Sequence, residues 1–179
     1  MVVQTRLTVE EFDTLVELPE NADKRLEFMG GEVVEVVTNS YASEIAARIL
    51  IKIGTFNDQK NLGRITGADG GYKVSGERYI PDVAFISKVR QPESSHESYN
   101  PNPPDLAVEV VSPSDVPKDI TAKVVNYLAA GTVVWVIYPD DKEANVFEPG
   151  QPVKTVGIDG ALDGGKVLPG FTLLLKDVL

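Results

Sequence analysis

The sequence predicts a mixed α/β or α+β fold, in which helices pack on a β-sheet. Three segments with helical periodicity are separated by short runs rich in β-branched and aromatic residues. The length of 179 residues suits one domain, residues 1–179, and we find no internal repeat or linker. A composition of 42% hydrophobic and 25% charged residues is ordinary for a globular protein.

The first predicted elements are a short helix and a hairpin. In the segment LTVEEFDTLVEL, Thr8 and Glu11 have the spacing of a capping box, and Pro19 limits the helix. The runs RLEFM and EVVEVV then flank Gly30-Gly31, which is a signal for a two-residue hairpin turn. Alternation along RLEFM places Glu27 on the face opposite to its apolar neighbours.

A second helix and a series of strands follow. Asn39 or Ser40 can cap a helix over residues 41–56, where isoleucines recur at helical spacing. Glycine-rich turns then separate three predicted strands, GRIT, GYKVS and RYIPDVAFIS, before a polar, proline-bearing loop over residues 88–104.

The second half begins with the strand LAVEVV, residues 106–111, which the segment SPSDVPKD closes. A third helix is predicted over residues 120–130 and ends at Gly131. The run TVVWVIYP predicts a buried strand, and EANVFEP would pair with it as a hairpin. The complete order of elements is therefore α-β-β-α-β-β-β-β-α-β-β.

Charge and composition exclude several functional classes. The net charge of −10 argues against broad, non-specific binding of nucleic acid, although a local basic cleft is compatible with it. The chain has no cysteine and only one histidine, His96, which lies in a polar stretch and is expected to be a solvated loop residue. Thiolate and histidine metal sites are therefore not expected.

No segment has the layout of a signal peptide or the length of a membrane span, so we expect a cytoplasmic protein without membrane contact.

Three carboxylates stand in apolar strands: Glu27 in RLEFM, Asp82 in YIPDVAFI and Glu109 in LAVEVV. A carboxylate buried in such a strand is costly unless it is paired or binds a metal. Other interpretations stay open for each residue. Glu27 could face solvent, Asp82 could be a turn residue or the first residue of a strand, and Glu109 could form a buried ion pair with lysine or arginine.

The acidic residues predict a site for a hard divalent cation. Mg²⁺ and Mn²⁺ bind well to two close carboxylates, and waters and a substrate phosphate complete the shell. We expect the carboxylates of Asp82 and Glu109 to lie within about 4–6 Å of each other, so that at least one has a raised pKa. Lys123, on the helix after the Glu109 strand, could orient or deprotonate a water, or could simply be an exposed lysine.

The ordered segments RLEFMGGEVV, IPDVAFIS, PPDLAVEVVSPSD, YLAAGTVVWVIYPDDKEANVF and LPGF resemble the Uma-two family of putative restriction endonucleases. That family belongs to the PD-(D/E)XK nuclease superfamily, and the resemblance runs from about residue 7 to residue 179. It implies a restriction-endonuclease-like fold, with a mixed central β-sheet flanked by helices. It also implies phosphodiester hydrolysis that depends on a divalent metal.

The resemblance assigns roles to individual residues. Asp82 matches the aspartate of the PD motif, Glu109 matches the second acidic residue, and Glu27 matches the acidic residue of the early hairpin. Val111 stands where the superfamily pattern has lysine, which is a departure from the motif. Members of the family commonly supply this lysine from the following helix, where Lys123 fits.

The first functional hypothesis is a Mg²⁺-dependent or Mn²⁺-dependent endodeoxyribonuclease. Asp82, Glu109 and the carbonyl of Val110 would hold the metal, Glu27 would bind a second ion or a water, and Lys123 would stabilise the transition state or position the water. DNA would enter a local cleft, and a homodimer is left open. The basic residues around the Asp82 strand are candidate DNA contacts, and they are Lys73, Arg78, Lys88 and Arg90.

Two other hypotheses stand beside the nuclease. The acidic composition and the missing in-motif lysine favour a non-catalytic binding or assembly module that keeps the fold. A metal-dependent enzyme acting on a small phosphate ester would need less basic surface than an enzyme acting on DNA.

Overall fold

The computed structural model describes residues 6–179, which contain three α-helices, two short 3₁₀ helices and thirteen strands. The α-helices are α1 Val9–Val16, α2 Ser40–Lys60 and α3 Pro117–Ala129, and the 3₁₀ helices are Pro19–Asn21 and Leu175–Asp177. In the described part of the chain, no helix combines the length and the apolar character needed to cross a membrane.

The strands are short, as the spacing of turn signals predicts. They are β1 Leu26–Met29, β2 Glu32–Glu35, β3 Gly63–Gly67, β4 Gly71–Val74, β5 Glu77–Tyr79, β6 Val83–Ser87, β7 Tyr99–Asn100, β8 Leu106–Val110, β9 Val133–Tyr138, β10 Glu143–Phe147, β11 Lys154–Gly157, β12 Ala161–Asp163 and β13 Thr172–Leu174.

The largest sheet has six strands in the order β11-β10-β9-β8-β6-β3. It is a mixed sheet, because β8 and β9 run parallel while the other neighbouring strands run antiparallel. A parallel pair needs a crossover connection, and α3 supplies it between β8 and β9. The predicted combination of a mixed sheet and packed helices is therefore confirmed.

Helices cover both faces of this sheet. On one face, α2 contributes Ile45, Ile49 and Ile53 to a core that also contains Trp135, with Phe171 stacked on it at a ring distance of 6.3 Å. On the other face, α3 contributes buried apolar and aromatic side chains to a second core. Alternation along β8 thus sends Ala107 to the α3 face, and its neighbours on either side to the α2 face.

A second sheet of five strands, in the order β2-β1-β5-β4-β7, packs against α1. Phe12 of α1 lies 5.3 Å from the ring of Phe28 and 5.8 Å from that of Tyr99, and all three are buried. The capping box predicted for α1 is present. The hairpin of β1 and β2 turns at Gly30 and Gly31, which both have positive φ angles, as a two-residue turn of this kind requires.

The expected single strand RYIPDVAFIS is wrong, because the chain breaks it at Ile80-Pro81-Asp82. The residues before the break form β5 of the five-stranded sheet, and those after it form β6 of the six-stranded sheet. Pro81 has no N–H to donate to a ladder, so a strand interior disfavours it. The break therefore carries the chain from one sheet to the other, and Asp82 precedes β6.

The remaining boundaries differ by a few residues from those predicted. Asn39 caps α2 by accepting a hydrogen bond from the Ala42 N–H at 2.8 Å, and α2 continues to Lys60. Helix α3 begins earlier than expected, at Pro117, where proline suits the first turn of a helix. His96 lies exposed in the loop before β7, as predicted.

Candidate active site

The candidate active site lies where the two larger sheets meet, beneath α3. Glu109 of β8 has the same strand parity as Ala107, so its side chain is directed to the α3 face of the six-stranded sheet. Glu27 comes from β1 of the five-stranded sheet, and Lys123 comes from α3. The junction therefore brings three charged residues from distant parts of the chain into contact.

Glu109 is buried, with only 5% of the residue exposed, and both of its carboxylate oxygens accept hydrogen bonds from α3. Lys123 Nζ lies 3.3 Å from Oε2, and the Tyr127 hydroxyl donates to Oε1 at 3.1 Å. Burial raises the pKa of Glu109 from 4.5 to about 8; Lys123 opposes this shift, while Glu27 and Asp82 add to it. Burial thus disfavours the charged form of Glu109, and the ion pair with Lys123 partly offsets that effect.

Glu27 is 2% exposed, so the interpretation in which it faces solvent is wrong. Its Oε1 accepts a hydrogen bond from the Ile80 N–H at 2.7 Å and lies 2.8 Å from Lys123 Nζ. The Glu27 side chain does not reach water, because the sheet junction and α3 cover it. Glu27 therefore connects Ile80, in the irregular segment between β5 and β6, to Lys123 of α3.

Lys123 is 8% exposed and bridges Glu27 and Glu109, so the alternative of an exposed lysine is also wrong. Burial alone would lower the pKa of Lys123, but the two carboxylates outweigh burial and raise the pKa above its usual value. The ammonium also lies 5.8 Å from the ring centre of Tyr79, within range of a cation–π interaction. Lys123 is therefore charged at neutral pH.

Asp82 is half-buried just before β6 and accepts a hydrogen bond from the Val110 N–H at 2.7 Å. Val83 pairs with Val108, so continuing this antiparallel register by one position sets Asp82 opposite Glu109. Side chains at opposite positions have Cβ atoms about 4.5–5.5 Å apart. The two acidic residues of the predicted motif thus lie side by side.

The pKa of Asp82 is raised from 3.8 to about 6, chiefly because the carboxyl group is buried. The hydrogen bond from Val110 and the charge of Lys123 oppose this shift, whereas Asp115 and Glu27 add to it. Both carboxyl groups of the motif therefore have raised pKa values, and burial is the largest cause for each, ahead of the neighbouring acids. Perturbation of this kind is typical of functional sites, and also occurs in structural ion-pair networks.

The segment SPSD after β8 forms a tight turn and adds Asp115 to the site, a residue that the sequence patterns did not single out. Asp115 Oδ2 accepts hydrogen bonds from the Ser112 N–H at 2.6 Å and from the Ser112 hydroxyl at 2.8 Å. This turn places Asp115 beside Asp82, where its charge contributes to the raised pKa of that residue. Serine followed by aspartate at a strand end is a recognisable turn signal, but it does not indicate what the turn faces.

Two tyrosines of the site were also missed. Tyr127 stands one helical turn after Lys123, a spacing that puts both on one face of α3. Its ring lies 5.5 Å from that of Tyr79, whose hydroxyl accepts a hydrogen bond from the Asn126 amide at 2.6 Å. Burial raises the pKa of both tyrosines, Tyr79 to about 12, so each is a neutral phenol at neutral pH.

A small cavity of about 30 Å³ lies beside the acidic residues and Lys123. Asp82, Glu109, Asp115 and Lys123 contribute its charged lining. Among the described residues that line it, three are acids and Lys123 is the one cation. The cavity is thus an acidic, largely desolvated space with room for about one water molecule or one small ion.

The donor set fits a hard divalent cation that keeps part of its own hydration shell. Within residues 6–179, no three acidic or histidine side chains are arranged to hold a metal by themselves. Mg²⁺ is usually bound by only one or two carboxylates, and waters and substrate phosphates complete its octahedron. Asp82 and Glu109 supply such a pair, and burial disfavours the charged form of both, a form that a bound cation would favour.

The basic residues proposed as DNA contacts are all engaged within the protein. Their partners are Glu97 for Lys73, Asp13 for Arg78, Asn61 for Lys88, and Asp105 for Arg90. Arg78 is buried as well. These side chains hold the surrounding loops together, so they do not form a ready cationic surface near the site.

Comparison with known proteins supports the predicted fold class. The crystal structure of a putative nuclease belonging to DUF820 from Anabaena variabilis ATCC 29413 matches this fold with a TM-score of 0.83. The sequences are 20% identical, and the match covers 96% of this chain and 97% of that chain. This likeness confirms the predicted fold class.

No curated protein matches the sequence. A family model, Uma2, described as putative restriction endonuclease, matches residues 9–176. The match includes Glu27, Asp82, Glu109 and Lys123, which are the residues that meet at the sheet junction. Because it spans nearly the whole sequence, the chain belongs to the Uma2 family of putative restriction endonucleases.

Proposed function

We propose that this protein hydrolyses phosphodiester bonds of DNA with the help of a divalent cation, Mg²⁺ or Mn²⁺. The observation that carries the proposal is the meeting of two adjacent, desolvated carboxyl groups with one buried ammonium at a single cavity. Family membership supports a nuclease-like role. Hydrolysis adds one water across a P–O bond and leaves a phosphate monoester and a hydroxyl group.

Asp82 and Glu109 would hold the cation, with the Val110 carbonyl as a further ligand. When bound there, the cation supplies Lewis-acid polarisation of the phosphoryl group. The Val110 N–H fixes Asp82, and the Tyr127 hydroxyl fixes one oxygen of Glu109. Both carboxylates are thus oriented by groups on the rigid β8–α3 unit, which limits the reorganisation needed during reaction.

Lys123 acts in this proposal as a hydrogen-bond donor to the phosphate, and not as a base. The carboxylates of Glu109 and Glu27 raise its pKa, so the side chain has no lone pair available at neutral pH. A buried ammonium stabilises negative charge that develops on the phosphoryl oxygens, and it does so more strongly than in water. Its two contacts keep it at the edge of the cavity.

Glu27 would position Lys123. Its shorter contact is with Lys123 at 2.8 Å, compared with 3.3 Å from the lysine to Glu109. If Glu109 turned one oxygen to a cation, Glu27 would keep the ammonium charged and in place. The assignment of Glu27 to a second ion stays a prediction beside this one.

The proposal is tested by assaying cleavage of circular single-stranded and supercoiled DNA with Mg²⁺, Mn²⁺ or EDTA. Asp82→Asn removes one charge from the site, and we expect activity to fall by more than about 100-fold, because losing a ligand should cost more than losing a residue that only orients a ligand. The matched control is Asp141→Asn, at an exposed residue after β9. Cleavage that persists in EDTA, or that Asp82→Asn leaves intact, would contradict the proposal.

A further inference from the structure

We infer that the groove beside the candidate active site binds an unpaired nucleobase, so that the substrate is single-stranded DNA. The inference rests on the proposed hydrolysis of DNA phosphodiester bonds and adds the class of substrate. We call this feature the apolar groove, and its apolar lining is Met29, Val34, Val36, Val37, Val116 and Ile120.

The apolar groove is continuous with the catalytic cavity. It has a volume of about 190 Å³, and one wall is the β1–β2 hairpin with the segment that follows it. The start of α3 forms the other wall. Val36, Val37, Asp115, Ile120 and Lys123 line both spaces, so a ligand in the groove would touch the edge of the catalytic cavity.

The walls expose apolar side chains to water. Val37 is 68% exposed and Val116 is 46% exposed, and they stand on opposite walls of the groove. An exposed apolar patch beside a reactive centre is typical of a binding surface. Unpaired bases pack between apolar as well as aromatic side chains, and the described apolar lining of this groove is aliphatic. Pockets for drug-sized ligands measure about 300–1,000 Å³, so this smaller groove suits one ring system.

The charges of the groove oppose duplex DNA. Glu35, Asp115 and Asp119 line it together with Glu27, whereas Lys123 is the one cationic side chain among its described lining residues. A duplex presents its phosphates outward and hides its base faces in the stack, so it would bring negative charge against these acids. An unpaired base brings an apolar face, and its amino groups can donate to carboxylates, as the N4 amine of cytosine does.

The depth of the reactive groups leads to the same conclusion. Glu109 and Lys123 are buried below the surface, and their cavity has room for only about one water molecule or ion, so the phosphodiester has to come close to the mouth of the cavity. A single strand can bend one phosphate inward while the neighbouring base lies in the groove. A B-form duplex is stiff over this length and deforms only at a cost in energy.

The test compares three substrates under one set of conditions with Mn²⁺. They are a single-stranded oligonucleotide, the same oligonucleotide annealed to its complement, and bis(4-nitrophenyl) phosphate, a small diester without a base. We expect the single strand to be cleaved at least about tenfold faster than the duplex, a difference in the range of one stacking contact. Equal or faster cleavage of the duplex would overturn the inference and leave the proposed function standing.

Val116→Asn tests the groove itself. Val116 is the N-cap residue of α3, where asparagine is favoured, so the variant should fold, and it adds no charge near the metal ligands. We expect kcat/KM for the single strand to fall about tenfold while hydrolysis of the small diester is unchanged. The control is Val89→Asn, at an exposed valine away from the groove.

Two results would contradict the role of the groove. If Val116→Asn lowers activity on the small diester as much as on the single strand, the groove acts through the catalytic cavity and binds no base. If the single strand is cleaved equally well by both variants and the native protein, the apolar surface has no part in binding. Failure of all three substrates with every cation would overturn the proposed function together with this inference.

Discussion

Replacing Glu109 with glutamine separates a metal ligand from a structural ion-pair partner. Glutamine keeps the length and shape of the side chain but removes its charge. Its oxygen can accept from Lys123 Nζ, and its amide group can donate to the Tyr127 hydroxyl, so both contacts of Glu109 can be retained. Lys123 would still have Glu27 as a counter-ion at 2.8 Å.

The structure predicts a small change in stability without metal. Burial disfavours the charge of Glu109 and raises its pKa, and glutamine removes that charge while Lys123 keeps Glu27 as a counter-ion. We expect the free energy of unfolding to change by no more than about 1 kcal/mol, the scale of one ordinary hydrogen bond. Removing a sole partner of a buried charge would instead cost about 3–5 kcal/mol.

The shift of Tm caused by Mn²⁺ should distinguish native protein from Glu109→Gln more clearly than stability in EDTA does. A ligand at 100 times its Kd stabilises the folded state by about 2.7 kcal/mol, which raises Tm by about 5–11 °C in a protein of this size. We expect native protein to show such a rise with Mn²⁺, and Glu109→Gln to show little or none. Glu148→Gln, at an exposed residue after β10, is the matched control and should behave like native protein.

Thermal melts of the three proteins in EDTA and in Mn²⁺ make the measurement. If Glu109→Gln lowers Tm by about 6–20 °C in EDTA, which corresponds to a loss of 3–5 kcal/mol, Glu109 serves as half of a structural ion pair. That result would refute its assignment as a metal ligand. An unchanged or higher Tm in EDTA, together with a lost response to Mn²⁺, is the expected outcome.

Three further predictions concern the same cluster. Glu27→Gln should destabilise the metal-free protein by about 1–3 kcal/mol, more than Glu109→Gln does, because Lys123 loses its closer charged partner. Titration calorimetry should show a smaller loss of Mn²⁺ affinity in Glu27→Gln than in Asp82→Asn, and an equal loss of affinity would make Glu27 a metal ligand. Tyr127→Phe removes the donor to Glu109 but keeps the ring, so titration calorimetry should show Mn²⁺ affinity lower by about tenfold, and unchanged affinity would exclude an orienting role. The folded-state pKa values of Glu109, about 8, and Asp82, about 6, exceed their ordinary values of 4.5 and 3.8. Between the ordinary and the raised pKa of each group, the folded protein therefore binds more protons than the unfolded protein. Their contribution to stability in EDTA is therefore complete below about pH 4 and is lost as pH rises towards 8; melts in which native protein and Glu109→Gln respond identically to pH would contradict this.

Local signals in the sequence predicted much of the fold. The capping box of Thr8, the Gly30-Gly31 turn and the apolar runs of β8 and β9 each depend on neighbouring residues, and all of them are confirmed. Strand parity also placed Glu27 on the face of the hairpin opposite to Leu26 and Phe28. Such features need no knowledge of distant contacts.

Features that depend on contacts between distant residues could not be predicted. Glu27 alternates with apolar residues in a hairpin, and only the junction of the two sheets buries it. Tyr127 lies on the apolar side of α3, so its sequence context indicates core packing, and its bond to Glu109 spans 18 residues. Arg78 resembles a surface arginine until Asp13, 65 residues away, pairs with it.

The most direct test of the account is a crystal structure with Mn²⁺ soaked into the protein, examined by anomalous scattering. We expect one strong peak in the cavity between Asp82 and Glu109, with carboxylate oxygens at roughly 2.0–2.2 Å, near the distances of hard six-coordinate ions. Lys123 should remain in contact with Glu27 when Glu109 turns to the ion. Density that shows Glu109 still paired with Lys123, and no peak beside Asp82 at saturating Mn²⁺, would contradict the proposed metal site.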